Sequence, residues 1–454
     1  MVTQSVTTFI ATTRQVAASG SLPLEGEQQN DSTFHGGARS CDRRCPQRGP
    51  RGLLHHLRRR RGEGSSDPLK IGTLLPLTGN LAYLGPPEVA GVGQAVDDIN
   101  AAGGVLGNDV VVENADSGDG DNLQVSTNSV SELLGKDVNA IIGAASSTVT
   151  LNVVDSVTEA GVIQVSPANT STTLSGYDPL FARTAPPDTV QGQALGSLML
   201  DDGHQKVAFL TMQDDYATGL RDNVQKAVEA GGGEVVYGAT GDGTEFGQAE
   251  TNFSNVVADA LAAKPDAIAI FAFVETKAVI AELITQDWDF AGKTYLCDGN
   301  TADYSADFDP GTLEGVKGTI PGADAPEEFK QRLNDWYVAE NDEELSDYAY
   351  AAESYDAAIL VALAAVRGEG TDGQTIADNI RAVSGSEEGA TEVSTFEEGV
   401  AALEAGDEIA YQGVSGIGPL NEDNDPSSAF IGVYEYDGDN KNIWTKVVEG
   451  SVAG

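Results

Sequence analysis

Residues 138–171 read VNAIIGAASSTVTLNVVDSVTEAGVIQVSPANTS. The apolar run at 138–142 is a short strand of the kind buried on both faces. Residues 149–160 carry apolar positions at helical spacing, and Gly161 falls just past the helix end, where a left-handed residue is wanted. A second strand follows at 162–165. Strand, helix and strand in succession make a parallel unit whose helix crosses one sheet face. The turn after the first strand, Gly143-Ala144-Ala145-Ser146-Ser147-Thr148, runs straight into the helix. The second strand ends in Ser166-Pro167-Ala168-Asn169-Thr170-Ser171. Both turns place hydroxyls at the carboxyl edge of the sheet, one of them beside the free N–H groups of a helix start, a combination suited to a carboxylate. Ligands of open α/β sheets bind beyond that edge. Two helix caps with no ligand are the alternative reading of the same residues.

Working outward, the alternation holds on both sides. A strand at 70–75 precedes a helix over 87–101, where Val89, Val92, Val96 and Ile99 recur at helical spacing. A strand at 110–114 and a helix at 123–134 complete the first run. After Arg183 the pattern restarts: helix 189–200, strand 206–211, helix 217–230, strand 233–239, helix 248–263, strand 267–273, helix 276–286 and strand 294–297. Two such runs joined near 184–190 predict two doubly wound α/β lobes with parallel sheets covered on both faces. The rest reads as helices at 326–340, 348–366, 374–383 and 396–405, with strands returning only at 430–436 and 443–448. These late helices must cover apolar faces of the earlier sheets, so the chain is expected to cross between lobes more than once.

The chain has 454 residues, 26 basic and 70 acidic side chains, and a net charge of −44. Its first 66 residues differ: ten Arg, no Lys and five acids (Glu25, Glu27, Asp31, Asp42, Glu63), including the run Arg58-Arg59-Arg60-Arg61. Residues 1–66 read as a basic leader and spacer outside the fold, either disordered or the product of a misplaced start or shifted frame. The acidic body repels phosphate backbones, which argues against nucleic acid as a partner. At ~1 M salt the screening length falls to about 3 Å, so the body is expected to work in a very salty medium, as in an extreme halophile. The cysteines, Cys41, Cys45 and Cys297, make no disulfide framework, and no apolar run is long enough to span a membrane.

Catalysis finds little support. His204, the only histidine after residue 66, sits in the polar turn Asp201-Asp202-Gly203-His204. No nucleophile elbow, zinc-protease motif or phosphate-binding loop is present. Asp116-Ser117-Gly118-Asp119-Gly120-Asp121 lacks the spacing and final Glu of a calcium loop and reads as a solvated turn. No catalytic residue, metal or cofactor is expected.

The order of short motifs then matters. Lys70-Ile71-Gly72, Leu77-Thr78-Gly79, Gly85 and Asp97-Asp98-Ile99-Asn100-Ala101-Ala102-Gly103-Gly104-Val105-Leu106-Gly107 open the body. Ala140-Ile141-Ile142-Gly143, Val165-Ser166-Pro167, Phe181-Ala182-Arg183-Thr184, Gln191-Gly192, Tyr216-Ala217-Thr218-Gly219 and Tyr355-Asp356-Ala357 follow. This series resembles the branched-chain amino-acid binding proteins of ABC importers, built on the type I periplasmic-binding fold. The resemblance implies two α/β lobes joined by a three-crossover hinge, one from 69–188 plus 321–418 and the other from 189–320 plus 419–454. It implies a carboxylate site at Ser146, Ser147 and Thr148. An ammonium site is implied at the Ala168 or Asn169 carbonyl, the Thr170 hydroxyl and Asp298. Walls would come from Tyr216, Phe273 and, where relatives often carry an aromatic, Leu84. It further implies capture of a small amino acid or related amide by lobe closure, and delivery to ABC permease and ATPase subunits. The protein would be extracytoplasmic, a monomer, and membrane-associated only through a lipid anchor or permease docking. A sensory receptor on the same fold is the alternative, and an enzyme using cleft carboxylates the more distant one.

Overall fold

The computed structural model describes residues 67–248 and 250–451. The expectations for residues 1–66, including Cys41 and Cys45, lie outside the described residues. The first run contains β1 (Lys70–Leu75), α1 (Gly85–Ala101), β2 (Val111–Asp116), α2 (Gln124–Gly135), β3 (Ala140–Gly143), α3 (Ser147–Glu159), β4 (Ile163–Ser166) and β5 (Phe181–Arg183). The second contains α4 (Asp188–Asp201), β6 (Lys206–Thr211), α5 (Asp215–Ala230), β7 (Glu234–Tyr237), α6 (Ser254–Ala262), β8 (Ala267–Phe271), α7 (Thr276–Thr285), β9 (Thr294–Leu296) and β10 (Lys317–Pro321). Then come α8 (Glu327–Asn341), α9 (Ala351–Gly368), α10 (Gly373–Val383), β11 (Thr391–Val393), α11 (Phe396–Ala405), β12 (Ile409–Tyr411), β13 (Ser428–Tyr436) and β14 (Asn442–Ser451).

The strands build two large sheets. The first has the order β2-β1-β3-β4-β5 and is parallel throughout. The second has the order β14-β13-β10-β9-β8-β6-β7. It is parallel from β7 to β10, with β13 and β14 added antiparallel. Helix α9 packs on α1, α10, α11, β3 and β4, and α8 packs on α1, so the late helices cover the first sheet. The chain therefore passes between sheets before α4, after β10 and before β13. The fold is two α/β lobes linked by three crossings.

Burial explains α9. From Ala351 to Ala365 every residue is buried, which suits a helix that is apolar on nearly all sides. Its one buried Asp is fully used: Asp356 accepts from the Tyr411 hydroxyl (2.8 Å), the Val414 and Ser415 amides (3.0 and 2.9 Å) and the Ser415 hydroxyl (2.6 Å). That ties the strand β12 and the last crossing to the helix.

Several sequence expectations are corrected. Strands do not return only near the end: β10 is an interior strand of the second sheet, and β11 and β12 form a small parallel pair. The Lys317-Gly318-Thr319-Ile320-Pro321 run is short, with Gly inside and Pro at its end, so it carries no alternating signal. The helix expected at 248–263 starts only at Ser254, because Phe246 continues the edge of β6 through bonds to Thr211 and Gln213. The strand expected at 267–273 ends at Phe271, which leaves Phe273 in the following turn. The helix expected from 348 starts at Ala351, since Tyr350 takes a left-handed conformation (φ 59°). Asp116 and Asp119 in the acidic turn accept backbone N–H groups from Leu77, Thr78, Gly118, Asn80, Asp121 and Asn122.

Candidate functional site

Strand order locates the site before any side chain is considered. In the first sheet the winding reverses between β1 and β3, and in the second between β6 and β8. At such a point neighbouring connections leave toward opposite faces, which opens a crevice at the carboxyl edge. Leu81 and Leu84 follow β1, Ala145, Ser146 and Ser147 follow β3, and Ala168, Asn169 and Thr170 follow β4. Across from them Tyr216 follows β6, Phe273 follows β8, and Asp298 and Gly299 follow β9. All of these and Tyr350 line one cavity. It encloses about 300 Å³ with its mouth, of which the centre of a water molecule can reach only about 20 Å³. The walls are nearly in contact.

The first-lobe wall is a braced pair of turns. Ser146 caps α3 by accepting the Val149 amide at 3.3 Å. The hydroxyl of Ser147 accepts the Ser171 amide at 3.2 Å, so the turn after β3 holds the turn after β4. Ser166 donates to the Ala144 carbonyl at 2.6 Å and accepts the Ala168 and Asn169 amides at 3.3 and 3.1 Å. Asn169 donates to Thr150 at 3.0 Å. Behind them the fully buried Arg183 donates to the Ser171 carbonyl at 2.9 Å and pairs with Asp425 through two bonds of 2.6 and 3.0 Å. First-turn amides of a helix have no partner inside it, so the start of α3 offers donors to an anion.

The second-lobe wall centres on Asp298. Its Oδ1 accepts the Tyr216 hydroxyl at 2.5 Å and the Gln191 amide at 2.9 Å, and its Oδ2 accepts the Tyr350 hydroxyl at 2.6 Å. The Tyr83 hydroxyl donates to its carbonyl at 3.3 Å. Burial raises the Asp298 pKa, and the three side-chain donors hold part of that rise back. Burial and then the Asp298 charge raise both tyrosines well above the usual phenol range, so they stay donors. The Tyr216 ring stacks on Phe273 with centroids 5.3 Å apart and planes 11° from parallel. Gly299 makes this possible: a Cβ there would lie 2.9 Å from both rings.

The sequence-predicted residues come together with one exception. Thr148 lies outside the cavity lining, where its hydroxyl donates to Asp214 of the opposite lobe at 2.7 Å. Sequence reasoning missed Leu81, Ala145, Gly299 and Tyr350 as lining residues, and Gln191 as a partner of Asp298. Ala145 and Gly299 adjoin predicted residues, so widening each turn by one position would have found them. Nothing local marks Tyr350, which reaches the cavity only because α9 returns to the first lobe. His204 lies elsewhere, bonded to the Gly292 carbonyl at 2.7 Å.

The profile of the periplasmic binding protein family matches residues 68–405, most of the chain and both lobes. The chain belongs to that family. This binding protein is 32% identical over 167 residues to the Leu/Ile/Val-binding protein BraC3 of Rhizobium johnstonii, a match covering 36% of the chain and 45% of that protein. It spans about half the length of the curated relatives it matches. Its fold is similar to the leucine-binding protein LivK of Thermotoga maritima, with TM-score 0.67, 21% identity, and coverage of 84% of this chain and 98% of that one. It is also similar to the branched-chain amino-acid substrate-binding protein LivJ of Streptococcus pneumoniae, solved with isoleucine, with TM-score 0.65, 22% identity, and coverage of 85% and 100%. The family so matched is one of periplasmic binding proteins. No helix among the described residues is long and apolar enough to cross a membrane.

Proposed function

We propose that this binding protein captures a small amino acid of the branched-chain type, or a related amide, between its lobes and delivers it to an ABC permease and its ATPase. The reading makes 69–188 plus 321–418 one lobe and 189–320 plus 419–454 the other, hinged at the three crossings. The α-carboxylate sits at the start of α3 on Ser146 and Ser147. The ammonium meets the Ala168 and Asn169 backbone, Thr170 and Asp298, and the side chain lies against Leu84, Tyr216 and Phe273. Thr148 helps from the rim, by holding Asp214 as the lobes meet. Closure excludes water, which strengthens these charge-assisted bonds. Ligand must favour the closed form, or it shifts no population. The protein acts as a monomer at the cell surface, tethered by a lipid or by permease docking, in a salty medium.

The observation that carries this reading is the opposed pair of sites in one cavity, donors at the start of α3 and a buried carboxylate at Asp298. The test is a thermal-shift screen at high salt against L-amino acids, short amides and urea, followed by calorimetry on the hits. Stabilisation by one or more short-chain amino acids or amides, lost in Asp298→Ala, is expected. A chain that responds to none of them ends the proposal.

A further inference from the structure

Asp188 opens α4 at the first crossing between lobes and has no exposed surface. Its amide donates to the Thr170 carbonyl at 2.8 Å, and its carboxylate oxygens have no partner beyond the adjacent Thr170 hydroxyl. Two buried acceptors nearby in the fold, Asn169 Oδ1 and Gln191 Oε1, have no partner at all. Thr170 and Asn169 line the cavity, and Gln191, on the same helix as Asp188, uses its N–H donors on Asp298 and Thr319. The corner behind the cavity wall at Asn169 and Thr170 is thus rich in acceptors and poor in donors, which a buried site tolerates only if a proton or a cationic ligand supplies them.

The charges around Asp188 leave it without a counter-ion. Asp298 faces it from the turn after β9 and is of like sign. Arg183 of β5 is committed to Asp425 and the Ser171 carbonyl. From α5, Gly219 stands opposite, and Arg221 of that helix pairs with Asp222 and Glu245. On β10, Lys317 pairs with Asp202 at the far end of α4. On β13 and β14, Glu435, Lys446 and Glu449 are exposed. Glu353 of α9 holds Thr184 through its carbonyl and adds no positive charge. Burial pushes the Asp188 carboxyl up to about 8, the Asp298 charge adds to the rise, and Thr170 and Arg183 offset part of it.

We propose that Asp188 is a proton-releasing positioning residue: it keeps a proton until a cationic amino headgroup docks on Thr170 and Asp298, then gives that proton up. The acid O–H bond breaks and the proton leaves through the Thr170 hydroxyl to solvent. The carboxylate so formed acts on the ammonium through Thr170. This rests on the amino-acid reading of the cavity and deepens it, since a neutral amide supplies no charge to drive the release. Binding of a cationic headgroup is then linked to pH. Affinity rises by nearly tenfold per pH unit between about 6 and 7 and levels off above 8.

The experiment is titration calorimetry of the full chain at pH 7 and high salt, with L-alanine, L-isoleucine and acetamide, in phosphate and in Tris. Amino-acid binding is expected to release about one proton, read from the difference in heat between buffers. Asp188→Asn should bind with no release and with flat affinity from pH 6 to 8. Equal wild-type heats in both buffers overturn the proposal, as does release that persists in Asp188→Asn and so belongs to Asp298. Acetamide binding without either amino acid overturns the cationic headgroup while keeping the cleft as a binding site. Binding of none of the three removes the underlying reading as well.

Discussion

Tyr350 donates its hydroxyl to the Asp298 carboxylate at 2.6 Å, and with that bond the entry to α9 is joined to the turn after β9. The residues come from opposite lobes, and both are buried. Tyr216 and Gln191 bring two more donors to the same carboxylate from α5 and α4. Asp298 is therefore both the charge that the ligand reading needs and a junction between lobes. A group with both duties couples headgroup recognition to lobe position, because moving either lobe changes how many donors stabilise the charge.

Tyr350→Phe removes one of the donors and leaves the ring. A hydrogen bond to a charged group contributes about 1.5–3 kcal/mol, so amino-acid affinity should fall by roughly ten- to a hundredfold. The folded lobes should stay intact. Calorimetry and small-angle scattering together test this: unchanged affinity and unchanged compactness would show that Tyr350 has no part in closure.

Arg183 and Asp425 should be worth more to the fold than to the ligand. Both side chains are almost wholly buried and paired at 2.6 Å. Removing one partner leaves an uncompensated buried charge, at a cost of about 3–5 kcal/mol. Asp425→Asn is expected to lower the unfolding free energy by that order and to loosen the 169–175 turn that Arg183 holds. Denaturant unfolding checks it; a change below ~1 kcal/mol would mean that the pair carries little of the structure.

How much was legible beforehand follows from where information sits in the chain. The βαβ alternation is local, so both sheets and the turns at 144–148 and 168–171 could be read from period and punctuation. Phe273 and Asp298 were reachable through the family resemblance, since each lies in the turn just after a strand that the pattern marks. Strand β10 was not, since a Gly and a Pro in five residues erase its pattern and its place comes from β9 and β13. Tyr350 was not, since its φ of 59° starts the helix later than the pattern implies and its partner is 52 residues away. The Asp188 environment is of the same kind: unpartnered acceptors appear only once α4, β4 and β9 have been brought together.

Thr148→Val tests the rim separately from the headgroup. The Thr148 hydroxyl bonds Asp214 across the lobes at 2.7 Å, and Asp214 also caps α5 and accepts from Gln248 at 3.0 Å. Burial already raises the Asp214 pKa, and losing the threonine removes the first of the groups that lower it. Affinity should weaken by about three- to tenfold with little change in melting temperature. A drop in melting temperature with unchanged affinity would place Thr148 in the fold rather than in closure.

Glu353 makes the pH dependence of stability specific. It is buried in the first turn of α9, and burial pushes its carboxyl from the ordinary glutamate range up to about 8. Glu88, in the first turn of α1, is fully buried without a partner and raised well above that range by burial and by Glu353. A folded-state pKa above the unfolded value means that the native chain keeps a proton the unfolded chain has released. The contribution is complete below pH ~4.5 and is lost as pH rises toward 8. Glu353→Gln should match wild type near pH 4.5 and exceed it by on the order of 3 kcal/mol at pH 7. Both should be measured at ~2 M KCl, because the net charge of −44 destabilises the fold in the same direction at low salt. Only the difference between the two chains isolates the residue, and a difference that stays constant from pH 4.5 to 8 would show that Glu353 ionises as freely in the folded protein as in the unfolded one.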